Sequence, residues 1–239
     1  MSRGAANPLL VTKGLRAFYG DFQALFGVDV TVNVGETIAL IGANGAGKST
    51  FLRAITGLLR TEPESVLFDG EPIGGRLPAE IVRLGVAMMP EGRRIFPSLT
   101  VEENLAIGAW TKPRQVKAAI ERAYSLFPTL KVRREAPGVA LSGGEQQMVA
   151  IARALASEPR LLLCDEISLG LAPIAITRLY SALPAIKSTG ASLIVVEQDV
   201  SRALAVADWA YCFQEGRVAL SGRANELTKE QIHEAYFGH

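Results

Sequence analysis

"ETIALIGANGAGKSTFLRAITGLL", residues 36–59, sets the reading of the whole chain. Residues 36–42 carry the apolar run Ile38–Ile41 closed by glycine, the pattern of a short strand buried on both faces. From Lys48 the period changes. Phe51, Ile55 and Leu58 share one helical face, with Leu52 and Leu59 beside it, so a helix is expected over 48–59. Between strand and helix, "GANGAGKS" (42–49) fits G-x-x-x-x-G-K-[ST], in the context that motif requires. Gly42, Gly45 and Gly47 let the loop bend so that backbone N–H groups face inward. The helix N-terminus adds partial positive charge and Lys48 a full one. The loop suits a nucleoside triphosphate. Ala43, Asn44, Ala46 and Thr50 complete the candidate binding set, and the Ser49 hydroxyl is a candidate Mg²⁺ ligand.

A second stretch, "LLLCDEISLGLAP" (161–173), runs an apolar strand into two adjacent carboxylates, Asp165 and Glu166. Like charges repel, and burial penalises each of them. A cation explains the pair: Asp165 can hold Mg²⁺ through coordinated water, while Glu166 orients an attacking water. A bare triphosphate loop does not need the second carboxylate, so the pair points to hydrolysis.

Composition is consistent with this. The 239 residues are 49% hydrophobic and 21% charged, enough for a sizeable core, and the net charge is +1. No block of about five or more Lys or Arg suggests a nucleic-acid surface, and no apolar run reaches the ~18 residues of a membrane span. "MSRGAANPLL" lacks the apolar stretch of a signal peptide, so a cytosolic chain is expected. Cys164 and Cys212 sit in apolar contexts and read as buried thiols.

Along the chain, alternating residues before about 35 predict short antiparallel strands, and 65–73 a strand and turn. Buried strands are expected at 86–90, 161–165 and 192–198, helices near 80–85, 174–188 and the C-terminal end, and a hairpin around Glu215–Gly216. Strands alternating with helices give an α/β core with a mainly parallel sheet. The helix-rich stretch 95–150 interrupts that alternation and reads as an inserted helical subdomain. The core would comprise 1–94 and 151–239.

"LSGGEQQ" (141–147) discriminates most sharply. Ser142 and Glu145 form the S-x-x-E capping box of a helix that stops before Pro159. Gly143 and Gly144 leave N–H groups open at its start, a second anion site. One phosphate chain does not need two such helix ends from the same domain; two copies arranged head-to-tail would use both.

The ordered set "GANGAGKS", "LSGGEQQ" and "LLLCDE" resembles the ABC-transporter ATPases over essentially the whole chain. The resemblance implies a P-loop NTPase core, an N-terminal antiparallel β subdomain and a helical insert whose groove receives membrane subunits. It implies that Tyr19 stacks on adenine, Gly42–Ser49 is the Walker A loop, and Ser142, Gly143, Gly144 and Glu145 form the signature, acting across a dimer. Asp165 would be the Walker B acid and Glu166 the catalytic base. Three positions depart from the general pattern: Glu91 stands for the usual glutamine near the metal, Ala172 for an aspartate, and Gln198 for the switch histidine. That combination is similar to the LivF-type subunit of branched-chain amino-acid importers, from which the chain departs at Ile167, where that subgroup usually has proline. That implies an ATP- and Mg²⁺-dependent motor at the cytoplasmic face of the inner membrane. Its partners would be two permease subunits, a paralogous ATPase or a second copy, and indirectly a periplasmic binding protein. Urea, amides or small aromatic acids are alternative cargoes. A soluble ABC ATPase of DNA repair or translation would usually carry long insertions or a second cassette. A P-loop kinase or GTPase leaves "LSGGEQQ" without a role.

Overall fold

Alternation at the start of the chain produces antiparallel strands, as the pattern predicts. The structure, a computed structural model, describes residues 7–237. Strand β1 (Pro8–Thr12) leads into the hairpin of β2 (Leu15–Tyr19) and β3 (Phe22–Val28), then β4 (Thr31–Asn33). Next come β5 (Thr37–Ile41), buried at every residue, and α1 (Lys48–Ile55). β6 (Val66–Phe68), β7 (Glu71–Pro72) and α2 (Pro78–Leu84) follow. The antiparallel sheet runs β4-β1-β6-β7, and β2 pairs with β3 apart from it.

Helix α1 ends four residues before the sequence pattern predicts. The Thr56 hydroxyl bonds back to the Leu52 carbonyl at 2.8 Å. Gly57 turns left-handed at φ 74°, and a Cβ there would meet the Arg76 carbonyl at 2.5 Å. The amides of Leu58 and Leu59 both return to the Arg53 carbonyl, closing the helix end. Leu58, expected on the buried face, is consequently 59% exposed.

The chain divides into two units, one comprising residues up to Leu84 and from Ser192 onward, the other Gly85–Ala191. In the second unit, β8 (Val86–Met89) is followed by α3 (Val101–Gly108), α4 (Val116–Leu126), α5 (Pro128–Val132) and α6 (Gly143–Leu155). β9 (Leu161–Asp165) then pairs parallel to β8, and α7 (Pro173–Ser188) follows. Asn104 of α3 is fully buried and fastens the turn before its own helix. Its Oδ1 accepts from the Phe96 amide at 2.8 Å, and its Nδ2 donates to the carbonyls of Phe96, Leu99 and Thr100.

The first unit resumes with β10 (Ser192–Val196), α8 (Val200–Val206), β11 (Trp209–Gln214), β12 (Arg217–Arg223) and α9 (Lys229–Phe237). Both β10 and β11 run parallel to β5, and β12 closes the edge antiparallel to β11. Glu215 (φ 47°) and Gly216 (φ 73°) are both left-handed, the turn that matches strand twist in a two-residue hairpin. Cys164 and Cys212 are buried and unbridged. Burial pushes the Cys212 thiol up to about 12, so it behaves as an apolar side chain.

Candidate functional site

The loop after β5 is shaped by its glycines. A Cβ on Gly42 would lie 2.5 Å from the Phe213 carbonyl of β11, so only glycine lets that strand approach. Gly47 caps α1 at φ 107° with no side chain over the first turn. The helix therefore presents its leading N–H groups to whatever the loop encloses. Lys48 is 4% exposed. Its ammonium donates to the carbonyls of Gly42 at 2.7 Å and Ala43 at 2.9 Å. Ala43, Asn44 and Gly45 are exposed, Ala46 is buried, and Ser49 and Thr50 are half-buried.

The hairpin turn between β11 and β12 braces this loop, a role sequence reasoning missed. The Gly216 amide donates to the Ala46 carbonyl at 2.9 Å, and its carbonyl accepts from the Phe26 amide at 2.9 Å. A Cβ at Gly216 would sit 2.2 Å from the Ala24 carbonyl. The turn itself was legible as Glu-Gly; its contact with a loop some 170 residues earlier was not. Gly216→Ala is expected to strain the turn by about 1–2 kcal/mol from the left-handed conformation alone. The backbone clash adds to this. Displacement of Ala46 should then lower ATP affinity at least about ten-fold, together with a lower melting temperature. Calorimetry and thermal melts on the same sample check both; unchanged affinity would show that the brace does not shape the loop.

Tyr19 lies beside α1. Its hydroxyl accepts from Arg53 Nη1 at 3.1 Å and stands 3.4 Å from Thr50 Oγ1. The ring stays 40% exposed, anchored at its polar end and open as a stacking surface. Val196 of β10 pairs with Leu40 of β5, so Gln198, two residues on, reaches the level of Gly42. The first unit thus gathers Tyr19, Gly42–Thr50 and Gln198.

The second unit holds the remaining predicted residues. Asp165 ends β9 at 3% exposure. The pairing Met89 with Cys164 brings Glu91 level with Glu166 at the ends of parallel strands. Both carboxylates line a cavity of about 330 Å³ together with Arg93, Gln146 and Gln147. Glu166 is left-handed at φ 51°. A proline at 167 would push its predecessor towards extended backbone; Ile167 imposes no such restriction. The Ile167 side chain is fully buried and its carbonyl accepts from Gln147 Nε2 at 2.9 Å.

The capping box is formed as the sequence predicts. The Ser142 side chain accepts from the Glu145 amide at 3.3 Å, and the Glu145 carboxylate accepts from the Ser142 amide at 2.8 Å. Burial opposes charge on Glu145, but these Ser142 hydrogen bonds and nearby Arg133 hold its pKa below the usual range. The paired glycines also have reasons within the chain. A Cβ on Gly144 would meet that of Ala175 at 2.7 Å, and one on Gly143 would meet the Arg93 guanidinium at 3.0 Å. Ala172 caps α7 without a side-chain hydrogen bond, where an aspartate would supply one.

These groups fit a nucleoside triphosphate with Mg²⁺. The loop offers inward curvature, an uncapped helix start and a buried ammonium. Among the described residues no three His, Cys, Asp or Glu side chains cluster as a metal cage. The Ser49 hydroxyl and the Asp165 carboxylate are hard oxygen donors, the kind Mg²⁺ takes one or two of beside phosphate and water.

Residues 25–168 match the ABC transporter family model. The chain is 44% identical over 223 residues to BraG of Pseudomonas aeruginosa, a high-affinity branched-chain amino acid transport ATP-binding protein, covering 92% of this chain and 96% of that one. It is 38% identical to the probable branched-chain amino acid transport ATP-binding protein LivF of Archaeoglobus fulgidus, covering 93% and 95%. A lipopolysaccharide export ATP-binding protein, LptB of Escherichia coli, is 30% identical over 96% of this chain and 97% of its own length. The crystal structure of a nucleotide-free ATP-binding cassette from an ABC transporter superposes with a TM-score of 0.84 at 27% identity, covering 97% of this chain and all of that one. With its triphosphate loop, capped glycine-rich helix and strand-end carboxylates in this order, the chain belongs to the ABC-transporter ATPases.

Proposed function

We propose that this ATPase powers an importer of branched-chain or related amino acids, working peripherally at the cytoplasmic face of the inner membrane. The observation that carries the motor reading is the Gly42–Lys48 cradle, with its ammonium drawn into the loop and its helix start left uncapped. The cargo reading is supported by the 44% and 38% identity to BraG and LivF over nearly the full chain.

In this reading Tyr19 stacks on adenine, and Gly42–Thr50 binds the phosphates through backbone N–H groups and Lys48. Ser49 and Asp165 hold Mg²⁺, with Glu91 nearby in the sequence role usually filled by glutamine. The ion, when bound, neutralises phosphate charge. Glu166 accepts the proton of the attacking water and aims its oxygen at the γ-phosphorus. Gln198 hydrogen-bonds in the γ-phosphate region without adding an ionisation of its own. Ser142, Gly143, Gly144 and Glu145 present the start of α6 to the nucleotide on a second ATPase, a paralogue or another copy. The preorganised donors stabilise charge dispersed in the transition state.

Two features of the helical region suit permease subunits. A cavity of about 260 Å³ between α4 and α6 is lined by Ala119, Ala123, Leu155 and Ala156, with the Arg122–Glu158 ion pair at its margin. Phe96 is 45% exposed, with the Arg153 guanidinium 5.4 Å from its ring centre. Asn104 holds the Phe96 backbone independently of the ring. Phe96→Ala should therefore leave folding and basal ATPase intact while abolishing stimulation by the assembled permease. Loss of folding, or full stimulation, would remove the ring from docking. The function as a whole is tested by reconstituting the chain with its permeases and binding protein. Stimulation of ATP hydrolysis and uptake by leucine, isoleucine or valine supports it; stimulation by urea, amides or aromatic acids alone would replace the cargo.

A further inference from the structure

The segment after β8 turns back through three successive left-handed residues, Gly92 (φ 78°), Arg93 (φ 66°) and Arg94 (φ 49°). The Arg94 amide donates to the Gly92 carbonyl at 2.6 Å across this turn. Residues with a Cβ seldom hold that conformation, and two in a row need support from their surroundings. Here α6 supplies it. Arg93 Nη1 donates to Gln146 Oε1 at 3.1 Å, in the first turn of the helix. Its Nη2 lies 3.0 Å from the point a Cβ on Gly143 would occupy. From the other end of α6, Arg153 Nη2 donates to the Arg94 carbonyl at 2.6 Å.

Gln146 passes this support on. With its Oε1 taken by Arg93, its Nε2 faces the carbonyls of Gly138 and Leu141, at 3.1 and 3.3 Å. Those residues deliver the chain to Ser142. Arg93 thus decides which end of the Gln146 amide fastens the approach to the signature. Arg93 shares a cavity with the carboxylates of Glu91 and Glu166 and also stands against the start of α6. A cation beside a helix N-terminus stands on the unfavourable side of the helix dipole, and an arriving phosphate chain reverses that sign.

We propose that Arg93 is a positioning residue for the ATPase. It sets the Gly143–Gly144 turn through Gln146, and so links the 91–97 loop to the anion-binding end of α6. The proposal rests on the reading that the signature engages nucleotide held by a second ATPase. Arginine is required because one nitrogen of its planar fork donates to Gln146 while the other fills the space beside Gly143 that a Cβ would take; lysine offers a single point.

The test uses the full chain carrying Glu166→Gln, with ATP-dependent dimerisation followed by analytical ultracentrifugation and monomer ATP affinity by calorimetry. Adding Arg93→Ala should weaken the dimer at least about ten-fold while leaving monomer affinity within about two-fold. Arg93→Lys should fall short of full recovery, and Arg93→Ala with Gln146→Ala should be no weaker than the worse single change. A dimer constant unmoved by Arg93→Ala overturns the proposal. Should that variant fail to fold, a wild-type dimer constant in Arg93→Lys overturns it instead. If Glu166→Gln forms no ATP-dependent dimer, either with itself or with the paralogous ATPase, the signature reading fails before any change at Arg93, and the proposal falls with it.

Discussion

Glu166→Gln is expected to retain ATP binding and to lower turnover at least ~100-fold, a barrier increase of about 2.7 kcal/mol. The substitution keeps size and hydrogen-bonding reach but removes the group that takes a proton from water. The position accepts the change locally. Glu166 is left-handed at φ 51°, at the end of a strand whose partner delivers Glu91 to the same level. A glutamine can occupy the same backbone conformation. Binding should persist because the phosphate contacts proposed for Gly42–Thr50 are untouched. With hydrolysis stalled, an ATP-bound dimer should accumulate. Turnover is measured in the assembled transporter, where a rate near wild type would show that another group activates the water. Glu91 is the carboxylate to examine in that event, since it lines the same cavity.

Much of this arrangement was legible because it depends on local chemistry. The strand-loop-helix at 36–55 follows from a change of hydrophobic period across a glycine-rich motif. Ser142 and Glu145 announce their helix start by spacing alone, and both hydrogen bonds are formed. The Glu215–Gly216 turn was equally clear from residue type. What escaped the sequence lies in contacts between distant segments. The packing of Gly216 against Ala46 depends on β11 running beside β5, which no local pattern encodes. The role of Arg93 depends on a run of left-handed residues whose support comes from a helix some fifty positions later. Leu58 shows the opposite failure: the helical period continued in the sequence, but Thr56 and Gly57 ended the helix first.

Lys48→Ala should weaken ATP binding itself, at least ~30-fold, or about 2 kcal/mol, since each factor of ten is about 1.4 kcal/mol. The lysine acts in the ground state. Its ammonium is drawn 2.7 and 2.9 Å from two carbonyls of the loop that would hold the phosphates, at 4% exposure. Charge in such a poorly hydrated position attracts phosphate more strongly than at the surface. Alanine removes that charge and also leaves the Gly42 and Ala43 carbonyls without their donor. The loop loses an internal tie as well as a ligand contact. Two measurements separate these effects. Lys48→Arg restores charge, but its rigid fork does not reproduce the ammonium's fit between two adjacent carbonyls, so it should recover affinity only in part. Melting of the nucleotide-free protein reports the tie alone, and should fall modestly for Lys48→Ala, since a net hydrogen bond to a charged group contributes about 1.5–3 kcal/mol. Calorimetric ATP affinity equal to wild type in Lys48→Ala would mean that the lysine serves the loop's own structure and not the nucleotide. The phosphate-binding assignment of Gly42–Thr50 would then have to rest on backbone N–H groups alone.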